Sequence, residues 1–170
     1  MNQLHYWTPT ISSKEFEKLF GAPVRLKMDS NQPTGSFKIR GLGYACQKAL
    51  EAGARHFVSS SGGNAGYSVA YAGAQLGIET TIFVPGRVSP FMRQKIESQG
   101  AQVVIAGDVW DQAHAAALEF TEGKSACYIH PFDHPDIWEG HSTIIQEIAD
   151  DGEDPPGVVV VAVGGGGLLC

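Results

Sequence analysis

His56-Phe57-Val58-Ser59 is followed by Ser60-Ser61-Gly62-Gly63-Asn64-Ala65-Gly66, and then by a helix-period segment that reaches Leu76 and stops at Gly77. This reads as a strand, a glycine-rich turn and a helix, the first half of a βαβ unit. The same alternation continues on both sides. Upstream, Val24-Arg25-Leu26-Lys27-Met28 reads as a strand, and residues 36–52 read as a helix stopped by Gly53. Downstream, Thr80-Thr81-Ile82-Phe83-Val84 is a strand ended by Pro85, and Pro90 opens a helix that Gly100 closes. A strand over 102–106, a helix over 108–121 and a short strand Cys127-Tyr128-Ile129 come next. A helix from about Pro135 ends before the acidic loop Asp150-Asp151-Gly152-Glu153-Asp154-Pro155-Pro156. The run Val158-Val159-Val160-Val161-Ala162-Val163 is apolar on both faces, as expected of a central strand covered by helices on each side. The expected fold class is α/β: open, mostly parallel twisted sheets with helices on both faces.

Composition excludes several function classes. The 170 residues carry 12 Lys and Arg against 18 Asp and Glu, a formal charge of −6, which does not suit a nucleic-acid partner. The run 158–163 is the longest clean apolar stretch and is far short of the ~20 residues that cross a bilayer, so no membrane partner is expected. Cys46, Cys127 and Cys170 are widely spaced and form no C-x-x-C pair, so they read as buried small hydrophobes. The N-terminus, Met1-Asn2-Gln3-Leu4-His5-Tyr6-Trp7, has no basic-then-apolar leader pattern, and with free thiols the expected location is the cytoplasm. Because a buried strand followed by a glycine turn should feed a helix that packs back on the sheet, the chain reads as the N-terminal part of a longer protein.

Three features carry chemistry. In Gly164-Gly165-Gly166-Gly167-Leu168, consecutive glycines leave backbone N–H groups open to an anion such as a phosphate. Neither a G-K-S/T sequence nor G-x-G-x-x-G is present, and a plain tight turn is the alternative. In Ser61-Gly62-Gly63-Asn64-Ala65, Asn64 or a serine is a candidate cap for the following helix, and the free N–H groups suit a carboxylate. In Pro33-Thr34-Gly35-Ser36-Phe37-Lys38, Thr34 or Ser36 is the natural N-cap, which puts Lys38 in the first helical turn beside the aromatic Phe37. There the helix dipole opposes the ammonium charge and lowers its pKa, the state that Schiff-base chemistry requires; a solvated surface lysine is the alternative. His130, Asp133, His134, Asp136, Glu139 and His141 are dense, but Pro131 and Pro135 break any regular ligand spacing. No metal is expected there, and a capped loop leading into a helix is.

The three features occur in the order and spacing of the pyridoxal-phosphate enzymes of the tryptophan-synthase β family, or fold type II, and the chain resembles them along nearly its whole length. Within that family the likeness is to the L-serine dehydratases, extended by Leu26-Lys27-Met28-Asp29-Ser30, Pro131-Phe132-Asp133 and Ile137-Trp138-Glu139-Gly140-His141. The resemblance implies a two-domain enzyme. Residues 1–42 and 132–170 would belong to the large cofactor-binding domain, and residues 43–131 would form a small inserted α/β domain. It implies pyridoxal 5'-phosphate as cofactor, held by Lys38 as a Schiff base. Phe37 would lie near the pyridine ring, Asn64 at the ring hydroxyl, and Gly164, Gly165, Gly166, Gly167 and Leu168 around the phosphate. Ser61, Gly62, Gly63, Asn64 and Ala65 would hold the substrate carboxylate, and Lys38 would move the Cα proton. Gly62 stands where members commonly have Ala or Ser, which would loosen substrate positioning. The implied activity is β-elimination of L-serine, or L-threonine, to pyruvate or 2-oxobutyrate and ammonia by a homodimer, with a small amino acid as its partner molecule. A threonine dehydratase or serine racemase of the same family, and an inactive binding module, are the alternatives; Asn64 followed by Ala65-Gly66 favours the serine dehydratase type.

Overall fold

The computed structural model describes residues 2–122, 125–151 and 154–170; Gly152 and Glu153 of the acidic loop lie outside them. Strands β1 (Thr10–Ser12) and β2 (Arg25–Lys27) pair antiparallel around helix α1 (Lys14–Phe20). A 3-10 turn over Asp29–Asn31 leads to α2 (Lys38–Glu51). Then strand and helix alternate: β3 (His56–Ser60), α3 (Asn64–Leu76), β4 (Glu79–Val84), α4 (Pro90–Glu97), β5 (Gln102–Ile105), α5 (Trp110–Thr121), β6 (Ala126–Tyr128) and α6 (Pro135–Asp150).

Strands β3 to β6 form one parallel sheet in the order β5-β4-β3-β6. Side chains alternate between its faces with period two. Phe57, Ile82 and Val84 therefore point to one side, where they pack with Leu42 and Cys46 of α2, Val69 and Ala72 of α3 and Ile96 of α4. Val58 and Phe83 point to the other, against Ala113 and Ala117 of α5. The α/β class with helices on both faces follows from this double burial.

The position of α2 is set by α6. A Cβ on Gly41 would lie 2.5 Å from the Ile137 carbonyl oxygen, and one on Gly140 would lie 2.5 Å from that of Arg40, so the two helices touch backbone to backbone. Next to this crossing, the fully buried Arg40 guanidinium reaches Glu147 of α6 (Nη1–Oε1 2.5 Å, Nη2–Oε2 2.9 Å) and Asp29 (Nε–Oδ2 2.7 Å, Nη2–Oδ1 2.8 Å). Lys27 adds a second cation at 2.9 Å from Glu147, and Thr8 donates its backbone N–H to the same carboxylate. Burial, the largest single influence, would raise the pKa of both carboxyls, but Arg40 together with Lys27 and Thr8 at Glu147, and with Thr8 and Gln32 at Asp29, holds both below their ordinary values.

Four expectations need correcting. Residues 158–163 form no strand: among the described residues none pairs with them, and Val160 is 93% exposed. A strand exists only where a neighbour accepts its ladder bonds, and the parallel sheet here ends at β6. Residues 24–28 contain β2, but it belongs to the small antiparallel ribbon with β1 and not to the parallel sheet. Helix α2 starts at Lys38 with Phe37 as N-cap, and no side chain caps it, because Thr34 donates its hydroxyl to the Ser36 carbonyl instead. Of the three cysteines only Cys46 is fully buried; Cys127 is half-buried and Cys170 exposed.

Candidate active site

Lys38 is the first residue of α2, as its sequence position suggests. Its half-buried amine donates to the Pro131 carbonyl at 2.9 Å, and burial holds its pKa below the ordinary lysine value. The Phe37 ring centroid is 5.3 Å from Nζ and that of Phe132 6.0 Å, so two aromatic faces flank the amine. Among the helix N–H groups that have no intrahelical partner, that of Gly41 donates to His141 Nδ1 at 3.2 Å. That bond assigns the proton to Nε2 and requires a neutral ring. Burial, helped by the Lys38 and Arg40 charges, lowers the His141 pKa to about 4.

The turn after β3 is packed closely at Gly62 and Gly66. Gly63 is the N-cap of α3 and no side chain caps that helix; Asn64 is its first residue and exposed, so neither Asn64 nor a serine plays the capping role. Instead Ser61 Oγ accepts from the Gly63 N–H at 3.3 Å within the turn. A Cβ on Gly66 would overlap the Ser61 carbonyl oxygen, so only glycine lets the helix return so close to the turn. A Cβ on Gly62 would overlap Val88 Cγ2. The space beside Gly62 is filled by Val88 and is not a loosening gap.

Lys38, Ser61, Asn64 and Ala65 line one cleft of about 310 Å³ together with Trp110, Pro131 and Phe132. Its size is that of a small-ligand site. The other candidate residues stand outside its lining: Phe37 lies beneath the amine, Gly62 and Gly63 complete the turn, and Gly164 to Leu168 join the cleft through Phe132. Gly165 packs on the Phe132 ring and Gly167 on its carbonyl, each so closely that a Cβ would overlap it. Gly166 has φ +87°, and its carbonyl accepts from the N–H groups of Leu169 (2.8 Å) and Cys170 (3.2 Å). Among the described residues, no protein acceptor takes the N–H groups of Gly164 to Leu168.

The histidine-rich segment builds backbone. His130 Nδ1 accepts from the N–H groups of Phe132 (3.3 Å) and Asp133 (2.8 Å), and His134 Nδ1 caps α6 at Asp136 N–H (3.2 Å). These bonds fix the turn that presents the Pro131 carbonyl to Lys38. The sequence motifs omit Trp110, which comes from the start of α5 and gains its place only through the sheet order that sets β3 beside β6.

An amine whose burial favours its uncharged form, in a cleft with open backbone donors nearby, suits an aldehyde carrying a phosphate. The chain belongs to the pyridoxal-phosphate dependent enzymes: the model of that family matches residues 1–170. It is 46% identical to an L-serine dehydratase of Dictyostelium discoideum over 98% of this chain and 51% of that protein. It is 46% identical to the bovine L-serine dehydratase/L-threonine deaminase over 98% of this chain and 51% of that one. The crystal structure of a fungal L-serine ammonia-lyase from Rhizomucor miehei superposes with a TM-score of 0.92 at 36% identity, covering 99% of this chain and 54% of that one. The chain thus spans about half the length of the curated relatives it matches.

Proposed function

We propose that the protein is a pyridoxal-phosphate-dependent ammonia-lyase that deaminates L-serine, and L-threonine as a second substrate, by β-elimination. The observation that carries this reading is the cleft that gathers the partly buried Lys38 amine with Ser61, Asn64 and Ala65. The identity to serine dehydratases over nearly the whole chain supports the substrate.

When bound, the cofactor supplies an electron sink for the pair left at Cα. Lys38 Nζ is the atom we assign to attach the cofactor and then to take the Cα proton. Burial lowers its pKa in the direction a base requires, and the Pro131 carbonyl is an acceptor that orients it. The backbone N–H groups of 61–65 hold the substrate carboxylate and so fix which Cα bond faces the base. Asn64 would also serve the cofactor's ring hydroxyl, Phe37 would flank the ring, and the backbone donors of Gly164 to Leu168 would hold the phosphate. Loss of the Cα proton and of the β-hydroxyl as water, followed by addition of water and release of ammonia, leaves pyruvate from serine and 2-oxobutyrate from threonine.

The domain division at residues 43 and 131, a homodimer and a cytoplasmic location belong to the same reading. The family resemblance supports the first two, and the free thiols support the third. Among the described residues no helix is long and apolar enough to cross a membrane. The experiment that tests the function incubates the cofactor-loaded protein with L-serine and measures pyruvate. Turnover that Lys38→Ala abolishes is expected; a folded, loaded protein that forms no pyruvate would overturn the reading.

A further inference from the structure

Beside the lysine, the cleft has a wall that no proposed catalytic role uses. Trp110 lines it from the first turn of α5. Its Nε1–H donates to the Ser60 carbonyl at 2.7 Å, one residue before the turn at 61–65. Its ring stacks on His114, one helical turn further on, with centroids 4.8 Å apart and planes 8° from parallel. His114 is itself braced, since Nδ1 lies 2.7 Å from Tyr128 Oη, and Tyr128 Oη lies 2.5 Å from Ser60 Oγ. Ser60 is fully buried, so both of its oxygens are committed to this cluster. Phe132, with centroid 6.2 Å away, stands against the indole from the lysine side.

The consequence is rigidity. An indole that is free to change rotamer yields to a larger ligand and selects weakly. Here the ring is pinned at its polar end by a hydrogen bond and over its face by stacking, and the stacking partner is held by a second strand. We propose that Trp110 is a specificity-determining residue. Its pinned indole limits the room at the β-carbon of an amino acid whose carboxylate is held by residues 61–65, and so favours a bare hydroxymethyl group over one that carries an extra methyl. The proposal rests on the substrate reading above.

Two measurements test it. In the full-length, cofactor-loaded protein, kcat/KM for L-serine and L-threonine is compared between wild type, Trp110→Leu, Trp110→Phe and Tyr128→Phe. Removing the wall should raise the threonine-to-serine ratio by about tenfold in Trp110→Leu, the size of a one-methyl discrimination in a fitted pocket. Trp110→Phe keeps an aromatic wall and should change the ratio least, while Tyr128→Phe should shift it in the same direction as Trp110→Leu but by less. If Trp110→Leu does not fold, Trp110→Met and Tyr128→Phe carry the same comparison. Equal losses on both substrates would overturn the proposal. The second readout needs no turnover: with three tryptophans in the chain, the serine-induced change in fluorescence should vanish in Trp110→Phe. If serine perturbs Trp110 but is not deaminated, the activity reading fails, and the wall stands only if the same titration shows threonine binding more weakly than serine and Trp110→Leu removes that difference. If serine is deaminated and the ratio does not move, the wall fails alone.

Discussion

The two glycine turns of the site look alike as sequence and behave differently as structure. Each follows an apolar run, and each is built on consecutive glycines. The run before Ser61-Gly62-Gly63-Asn64-Ala65 is β3, paired on both sides by β4 and β6 and fully buried from Phe57 to Ser60. The run before Gly164-Gly165-Gly166-Gly167 pairs with nothing among the described residues, and Val158, Val159, Val160 and Val163 face solvent. Yet the second turn still has a specific seat, because Gly165 and Gly167 dock on Phe132. A glycine turn therefore takes its shape from what its glycines touch. The strand before it depends on the neighbours that accept its ladder bonds.

The comparison can be sharpened by substitution. The largest effect is expected at the buried ion cluster that fixes the lysine helix beside the first turn. Arg40→Met leaves Asp29 without its cation and Glu147 with Lys27 alone, and should cost about 3–5 kcal/mol in denaturant unfolding. The same cluster makes stability fall in acid. The folded state holds Glu147 and Asp29 below their ordinary values of 4.5 and 3.8, so their contribution is present above those values and is lost as pH drops through the lowered ones. Glu147→Gln should flatten the Glu147 part of that acid dependence.

Next in size is Gly66→Ala, whose methyl meets the Ser61 carbonyl, a backbone atom that cannot swing aside. About 3 kcal/mol is expected from thermal unfolding. Gly62→Ala should cost about 2 kcal/mol because it meets Val88, and Val88→Ala in the same chain should recover at least about half of that. An additive double mutant would contradict the packing described for that turn. The smallest effect belongs to the second turn: Gly164 has nothing within 4 Å of a Cβ and no left-handed φ, so Gly164→Ala should change stability by less than about 0.5 kcal/mol. Hydrogen exchange breaks the comparison most simply. In a chain of these 170 residues, amides of β3 should be strongly protected and those of 158–163 should exchange much faster. Equal protection would mean that the valine run is paired after all.

Much of this was legible along the chain. The alternation from β3 to α6 shows in the periodicity and in Gly77, which closes α3, whereas α4 is capped at Ser98, two residues before Gly100; Lys38 falls in the first turn of its helix as its neighbours predict. Strand β1 and helix α1 were not visible, because three and seven residues are too short to show a period. The Arg40 cluster was hidden for a different reason. A charged residue in a helix reads as surface until its partners arrive from residues 29 and 147, and only the fold brings them together. Trp110, His114 and Tyr128 likewise come from two elements whose adjacency depends on β6 pairing with β3 out of sequence order. The valine run failed in the opposite direction, since apolar character is local but a ladder partner is not.

The central claim is that Lys38 carries the cofactor. The most direct test reduces the pyridoxal-phosphate-loaded protein with borohydride and maps the labelled peptide by mass. An adduct on Lys38, absent from Lys38→Ala, is the predicted result. A folded protein that takes no label there, or takes it on another lysine such as Lys27 or Lys48, would contradict the assignment.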